Sequence, residues 1–184
     1  MVPVAINNGK KVAKATFFSP GEFMRFYTIS DSYINYLKKL DATVPNNYSG
    51  KRPYIGVILE INEHKYLAPL TSYKQKQDKI HGSSLGAFKL HERSNENNKL
   101  GMICLNNMIP VLESEITELD IDIQEEKYKR MLYLQYEFIK TKKEEIIIKA
   151  KRLHDAVTVK KEKFYSGISC NFQLLEQSYT KYNT

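Results

Sequence analysis

A strand-like run followed by a helical pattern occupies the first part of the chain. Residues 24–30 alternate in the way that a β-strand with one buried face does. Ser30 or Ser32 can then cap a helix that runs to about Asp41. The apolar residues of this helix share one face: Tyr33, Leu37 and Leu40. A short strand leading directly into an amphipathic helix is therefore predicted.

The middle of the chain has the apolar runs and short connections of an antiparallel sheet. Residues 54–61 and 64–70 are strand-like runs separated only by Asn62 and Glu63, which predicts a β-hairpin. A mostly polar connection comes next, and later a very polar loop is expected at 92–99. Further extended segments are predicted on both sides of that loop: residues 87–91, 100–105 and 108–116.

The last third of the chain is helical in composition. Residues 124–163 lack Gly and Pro, and because one helix of about 40 residues would be unusually long, a break is predicted at 141–143. Ser166–Gly167 is expected to end this helical region, and Asn171 to cap a short last helix. One early helix, an antiparallel sheet and then helices predict the α+β class.

Composition narrows the choice of partner and compartment. The 184 residues include 28 Lys and Arg against 21 Asp and Glu, a net charge of +7 that favours a polyanion such as RNA or DNA, or an anionic surface. Cys104 and Cys170 are too few for a disulfide framework or a zinc site. No apolar run approaches the roughly 18 residues that span a bilayer. A cytoplasmic protein with no membrane partner is expected.

Residues 1–23 differ from the rest of the chain. Their turn-forming residues at 7–9 and 19–21 interrupt any continuous element. Two explanations remain open: a native extension, or a leader ahead of a natural start at Met24. The charge of the remainder is still +5, so the basic character does not depend on this segment. A single domain spanning residues 24–184 is expected.

Two short polar segments are candidates for a catalytic or RNA-binding site. Thr71–Lys74 places two hydroxyls, a phenol and an ammonium at the end of an apolar run, a combination that suits a phosphate oxygen. Residues 48–52 place Lys51 and Arg52 near a tyrosine. Each segment taken alone is better explained as a solvated loop, and the hydroxyls of Thr71–Lys74 would then bind nearby backbone groups.

No other motif in the sequence indicates a metal or an organic cofactor. The four histidines lack metal-ligand spacing, and no phosphate-binding glycine loop or nucleophile elbow is present. Residues 142–163 hold eight basic and four acidic side chains. That run is explained either by a solvated helix face or by a stripe that follows an RNA backbone.

Eight segments occur in an order and spacing that resemble one known family: 25–30, 54–61, 64–72, 83–85, 88–91, 107–110, 128–133 and 170–172. This is the ToxN/AbiQ family, the endoribonuclease toxins of type III toxin–antitoxin and phage abortive-infection systems. The resemblance runs from Arg25 to about Tyr182. It implies a compact, strongly twisted antiparallel β core wrapped by helices, similar to the MazF/Kid toxin fold.

The resemblance also implies an activity and a set of partners. The implied activity is sequence-selective, metal-independent cleavage of RNA, with no cofactor. The implied partners are target RNA and an inhibitory RNA antitoxin, a repeated pseudoknot that the toxin processes and with which it forms a closed protein–RNA oligomer. The alternative from a different class is a non-catalytic RNA-binding regulatory protein.

Site residues are implied by the same resemblance. The implied catalytic residues are Tyr48, Arg52, Thr71, Ser72 and Lys74. Further residues are expected to bind RNA: Tyr33, Lys51, Tyr73, Ser83, Ser84 and Lys89. Lys51 and Arg52 are alternatives for the cation that faces the phosphate. Cleavage would proceed by attack of the RNA 2′-oxygen, leaving a 2′,3′-cyclic phosphate and a 5′-hydroxyl.

Overall fold

Seven β-strands pair in one antiparallel arrangement in a computed structural model that describes residues 25–46 and 54–182. The strands are β1 (Phe26–Ile29), β2 (Ile55–Ile61), β3 (His64–Thr71), β4 (Phe88–Glu92), β5 (Asn95–Ile103), β6 (Ile109–Pro110) and β7 (Ile116–Glu118). Their order is β4-β5-β3-β2-β1-β7, and β6 pairs with β3. The expected extension at 1–23 lies outside the described residues.

Five α-helices accompany the sheet, and all but the first come after it in the chain. They are α1 (Asp31–Leu40), α2 (Glu126–Thr141), α3 (Lys143–Thr158), α4 (Lys163–Ile168) and α5 (Phe172–Ser178). Short 3₁₀ turns occupy Gln75–Lys79, Leu105–Asn107, Glu113–Glu115 and Tyr179–Lys181. The predicted α+β class is confirmed. Within the described residues, no helix is long and apolar enough to cross a membrane.

Local signals placed several boundaries correctly. Ser30 caps α1 by accepting a hydrogen bond from the Tyr33 N–H, and Asn171 caps α5 through the Leu174 N–H. The helical region breaks at Lys142, between α2 and α3, as predicted. Asn62 and Glu63 form the hairpin turn.

Three other predictions are corrected. The polar segment 92–99 is not a loop, because β5 begins at Asn95 and pairs with Glu92, which leaves a turn of only two residues. Ser166–Gly167 does not end the helical region but lies inside α4. The extended segment at 108–116 is interrupted by the turn Glu113–Glu115. Residues 95–99 form a strand despite their polar composition. Their side chains are exposed and do not disturb the backbone hydrogen bonds to β4.

The core lies between the sheet and the helices α1, α2, α3 and α5. The largest fully buried side chains include Tyr33, Tyr66, Phe26 and Phe172. A polar network crosses this packing: the Tyr66 hydroxyl donates to Glu176 Oε1 at 2.5 Å, and His154 Nε2 lies 2.7 Å from the same oxygen. The network therefore ties β3 to α3 and α5 inside the apolar cluster.

Candidate active site at the end of strand β3

The segment Thr71–Lys74 continues directly from the end of β3 onto the surface. Thr71 is half-buried, whereas Ser72, Tyr73 and Lys74 are exposed. The Ser72 side chain makes no hydrogen bond to any residue that the structure describes. Its hydroxyl is therefore available to an external oxygen acceptor.

A buried glutamine holds the backbone of this segment. Gln77 is only 4% exposed, and its side-chain amide donates to the Ser72 carbonyl oxygen at 2.9 Å. The Gln77 N–H also donates to the Lys74 carbonyl, which closes the following 3₁₀ turn. These two bonds restrict Ser72 and Lys74 to one backbone path, which is a requirement for aiming donors at a substrate.

An exposed carboxylate organises the surrounding polar side chains. Asp78 accepts hydrogen bonds from the Lys99 ammonium and from the Tyr73 hydroxyl, each at 2.8 Å. The bond from Lys99, followed by that from Tyr73, lowers the pKa of the Asp78 carboxyl. The same ion pair raises the pKa of Lys99. Tyr73 is consequently turned toward the Gln75–Lys79 segment in this conformation.

Gly101 allows β5 to approach the end of β3. Its φ is +125°, and a Cβ built there would lie 2.0 Å from the Thr71 carbonyl oxygen. A side chain at this position would collide with the Thr71 backbone, and a residue other than glycine would also be strained by the positive φ. Gly101 therefore fixes how closely the Thr71 end of β3 meets its neighbour.

Lys89 shares a sheet face with Thr71. Met102 on β5 is the cross-strand partner of both Thr71 and Lys89. Directly paired residues of antiparallel strands project to the same side, so the two side chains face the same way about 10 Å apart, two strand spacings. The Lys89 ammonium also donates to the Asp78 carbonyl oxygen at 3.4 Å.

Ser83 and Ser84 lie farther along, on the connection into β4. Ser83 Oγ is 2.7 Å from His81 Nδ1, and Ser84 is half-buried. The adjacent Gly82 carbonyl accepts a hydrogen bond from Lys149 of α3. These two serines therefore belong to a loop held by α3 and have no hydrogen bond to Thr71–Lys74 among the described residues.

One expected RNA-binding residue is corrected. Tyr33 is 0% exposed, its hydroxyl donates to the Pro110 carbonyl at 3.0 Å, and burial raises its pKa. It packs at an edge against Tyr182 and is a core residue, so the prediction of an RNA contact was wrong. Tyr48, Lys51 and Arg52 lie outside the described residues.

The histidines are engaged away from the end of β3. His64 begins β3 and lies 3.2 Å from the Tyr179 hydroxyl, while the His91 ring packs on Phe138. His154 belongs to the buried network with Glu176. No group of three or more His, Cys, Asp or Glu side chains within residues 25–46 and 54–182 is arranged to hold a metal ion.

Sequence reasoning missed four residues that shape the site: Gln77, Asp78, Lys99 and Gly101. Only Gly101 carries a usable signal, because a glycine inside a strand indicates a close backbone approach. The other three are ordinary polar residues whose roles appear only when the polar connection folds against β4 and β5.

The family of toxins described as "Toxin ToxN, type III toxin-antitoxin system" matches residues 25–180. The chain belongs to the ToxN family. Endoribonuclease ToxN of Pectobacterium atrosepticum is 45% identical over 161 residues, covering 85% of this chain and 92% of that protein. The sequence patterns suggest lactococcal AbiQ as the nearest ToxN-family member, but Endoribonuclease AbiQ of Lactococcus lactis is less similar, at 35% identity over 87% of this chain and 90% of that protein.

A solved ToxN-family structure has the same fold. The structure of AbiQ, described as a lactococcal anti-phage endoribonuclease of the type III toxin–antitoxin system, superposes with a TM-score of 0.79 at 32% identity. The match covers 87% of this chain and 98% of that one. The arrangement of sheet and helices described above is thus that of a ToxN-family toxin.

Proposed function

We propose that this protein is an endoribonuclease toxin of a type III toxin–antitoxin system acting in phage defence. The observation that carries the proposal is Thr71–Lys74, in which the half-buried Thr71 hydroxyl is followed by exposed hydroxyl and ammonium donors, on a backbone held by Gln77. The segment lies in a chain whose relatives are named endoribonucleases. Preorganised donors of this kind suit a charge that develops during reaction.

The proposed reaction uses the RNA itself as the source of the nucleophile. The 2′-oxygen forms a bond to the adjacent phosphorus and loses its proton, the bond from phosphorus to the 5′-oxygen breaks, and that oxygen gains a proton. Products would be a 2′,3′-cyclic phosphate and a 5′-hydroxyl. Metal independence belongs to the proposal because an intramolecular nucleophile requires no metal-activated water.

Individual roles are proposed from the chemistry of each side chain. Thr71 and Ser72 would position the phosphate through their hydroxyls, and Lys74 would stabilise the charge of the phosphorane. Arg52, or Lys51 beside it, would add a second cation, and Tyr48 would orient the ribose or stack on a base. Tyr73, Ser83, Ser84 and Lys89 would bind the neighbouring nucleotides.

The proposed partners are target RNA and an inhibitory RNA. A solved structure at 35% identity and TM-score 0.72 is described as concerning "selective toxin inhibition by a non-coding RNA pseudoknot" and supports an RNA antitoxin for this chain too. A repeated RNA that contacts two protein copies would give a closed assembly of defined stoichiometry. The proposal also includes a cytoplasmic location, a single domain over 24–184 and a sheet similar to that of MazF/Kid toxins.

Three matched reactions test the activity. Purified protein is incubated with RNA in excess EDTA, with the same RNA carrying 2′-deoxy substitutions at the cut sites, and with RNA and magnesium. Cleavage in EDTA with cyclic phosphate ends, and resistance of the deoxy substrate, are expected. Intact but shifted RNA would favour the non-catalytic binder, and activity that requires added metal would overturn the proposed mechanism.

A further inference from the structure

Helix α3 brings cations to the edge of the sheet beside the candidate site. The Lys149 ammonium donates to the Gly82 carbonyl oxygen at 2.9 Å and lies 5.5 Å from the centre of the Phe88 ring. Phe88 precedes Lys89 on β4, one of the two edge strands of the described sheet. Adjacent strand residues point to opposite faces, so Lys149 and Lys89 flank this edge strand from its two sides.

Arg152 extends the group along the same helix. Lys149 and Arg152 are three positions apart and therefore neighbours on one side of α3. Burial lowers the pKa of Lys149, and the positive charges of Arg152 and Lys89 lower it further. Lys149 therefore lies close enough to Arg152 and to Lys89 for each of them to disfavour its positive charge.

Among residues 25–46 and 54–182, no carboxylate forms an ion pair with this cluster. None of Lys89, Lys149 and Arg152 forms an ion pair with an acidic side chain within the described parts of the chain. Other lysines nearby are paired, as Lys99 is with Asp78. A bound anion would relieve the repulsion, and a phosphate offers several oxygens to several donors at once.

The cluster is continuous with the proposed cleavage segment. Lys89 lies on the same sheet face as Thr71, two strands away, and its ammonium donates to the backbone of Asp78. From Thr71 the donors thus run outward past Lys89 and around β4 to α3. A path of this length exceeds a single phosphate and matches a run of successive phosphates in a chain.

We propose that Lys89, Lys149 and Arg152 form a phosphate-binding subsite for RNA outside the cleavage point, so that the bound strand leaves Thr71–Lys74 across β4 toward α3. This inference rests on the proposed endoribonuclease function. It assigns part of the basic run at 142–163 to RNA binding and leaves the opposite side of α3 as a solvated helix face.

The test compares substrates of two lengths. Lys149→Gln, Arg152→Gln and the double variant are assayed on a long RNA and on a minimal RNA that spans only the cut phosphate. For the double variant, KM on the long RNA should rise roughly tenfold with kcat unchanged, while cleavage of the minimal RNA stays as in the wild type. Lys151→Gln is the control, because Lys151 is exposed on the opposite flank of α3.

Salt dependence gives a second readout on an uncleavable 2′-deoxy RNA. Loss of two phosphate contacts should reduce the slope of log affinity against log salt by about 1.4 for a single strand. Lys149→Arg, which retains the charge, should keep the wild-type slope. Thermal unfolding of each variant checks that the hydrogen bond from Lys149 to Gly82 is not needed for folding. If Lys149→Gln unfolds, Arg152→Gln alone tests the proposal, and the salt slope should then change by half as much.

Failure of the two proposals is distinguishable. If the wild type cleaves neither RNA, the proposed function is wrong. If the wild type cleaves but the folded double variant matches Lys151→Gln in KM and salt slope, the subsite is overturned alone. An equal loss on long and minimal RNA would also overturn it, because the effect would then lie at the cut phosphate.

Discussion

At the scale of single residues, Ser72 combines a fixed backbone with a free side chain. Its carbonyl is held by the buried Gln77 amide, while its hydroxyl has no partner in the described part of the chain. A donor without an internal partner, on a backbone that cannot drift, loses little entropy when it meets a phosphate oxygen. Asp78 accepts hydrogen bonds from the Tyr73 hydroxyl and the Lys99 ammonium, so these two groups do not bond the Ser72 hydroxyl in this conformation.

Ser72→Ala should reduce the rate of RNA cleavage about a hundredfold to a thousandfold, the range for losing one preorganised donor. The exposed hydroxyl makes no internal bond, so the free energy of unfolding should change by less than about 0.5 kcal/mol. Ser94→Ala is the matched control, since Ser94 lies at the β4–β5 turn and its hydroxyl bonds Glu92 and no other side chain that the structure describes. Near-wild-type cleavage by folded Ser72→Ala would remove Ser72 from the mechanism.

At the scale of elements, the β2–β3 hairpin carries a local strain. Asn62 and Glu63 both adopt left-handed conformations, with φ of 48° and 68°. A two-residue turn with both φ values positive matches the twist of the flanking strands, which fixes the register along all of β2 and β3. Glutamate tolerates that conformation poorly compared with glycine. The pairing of Gly56 through Ile61 with β3 evidently compensates for it.

Glu63→Gly should raise the free energy of unfolding by about 0.5–1 kcal/mol, because relief of the left-handed strain exceeds the extra entropy of the unfolded chain. Glu60→Gly provides a control of opposite sign. Glu60 is exposed inside β2, where glycine should lower stability by about 0.5–1 kcal/mol. Urea unfolding measures both variants, and a loss of stability in Glu63→Gly would contradict this account of the turn.

At the scale of the whole molecule, buried thiols and phenols make the free energy of unfolding depend on pH in the alkaline range. Burial raises the pKa of Cys104 to about 11 and that of Cys170 to about 12. Burial also raises the pKa of Tyr54 and of Tyr66, whose hydroxyl donates to Glu176. Ionisation of any of these groups would place an unpaired charge in the core.

The free energy of unfolding should therefore fall as pH rises above about 8.5, where thiols of the unfolded chain ionise, and more steeply above about 10, where tyrosines do. The sign is negative because the folded state keeps protons that the unfolded state loses, so the unfolded state binds fewer protons. Urea unfolding between about pH 7 and pH 10.5 measures the effect. A constant midpoint over that range would contradict it.

The sequence by itself determined the features that depend on neighbouring residues. The caps at Ser30 and Asn171, the turn at Asn62–Glu63 and the break at Lys142 were all predictable, because caps, tight turns and helix ends are decided within a few positions along the chain. Thr71–Lys74 was singled out in the same way, from hydroxyls and a lysine at the end of an apolar run, but its catalytic role was implied only by the resemblance to the ToxN/AbiQ family and stays a prediction.

Only the tertiary structure decided what depends on partners distant in sequence. Asn95–Lys99 joins β5 because β4 supplies its hydrogen bonds, and Tyr33 is buried because Pro110 and Tyr182 close over it. Lys149 reaches the sheet only where α3 returns to Gly82. Polar side chains such as Gln77 carry no mark of burial in the sequence. Their positions are set by the free energy of the whole packed core, to which residues far apart contribute together.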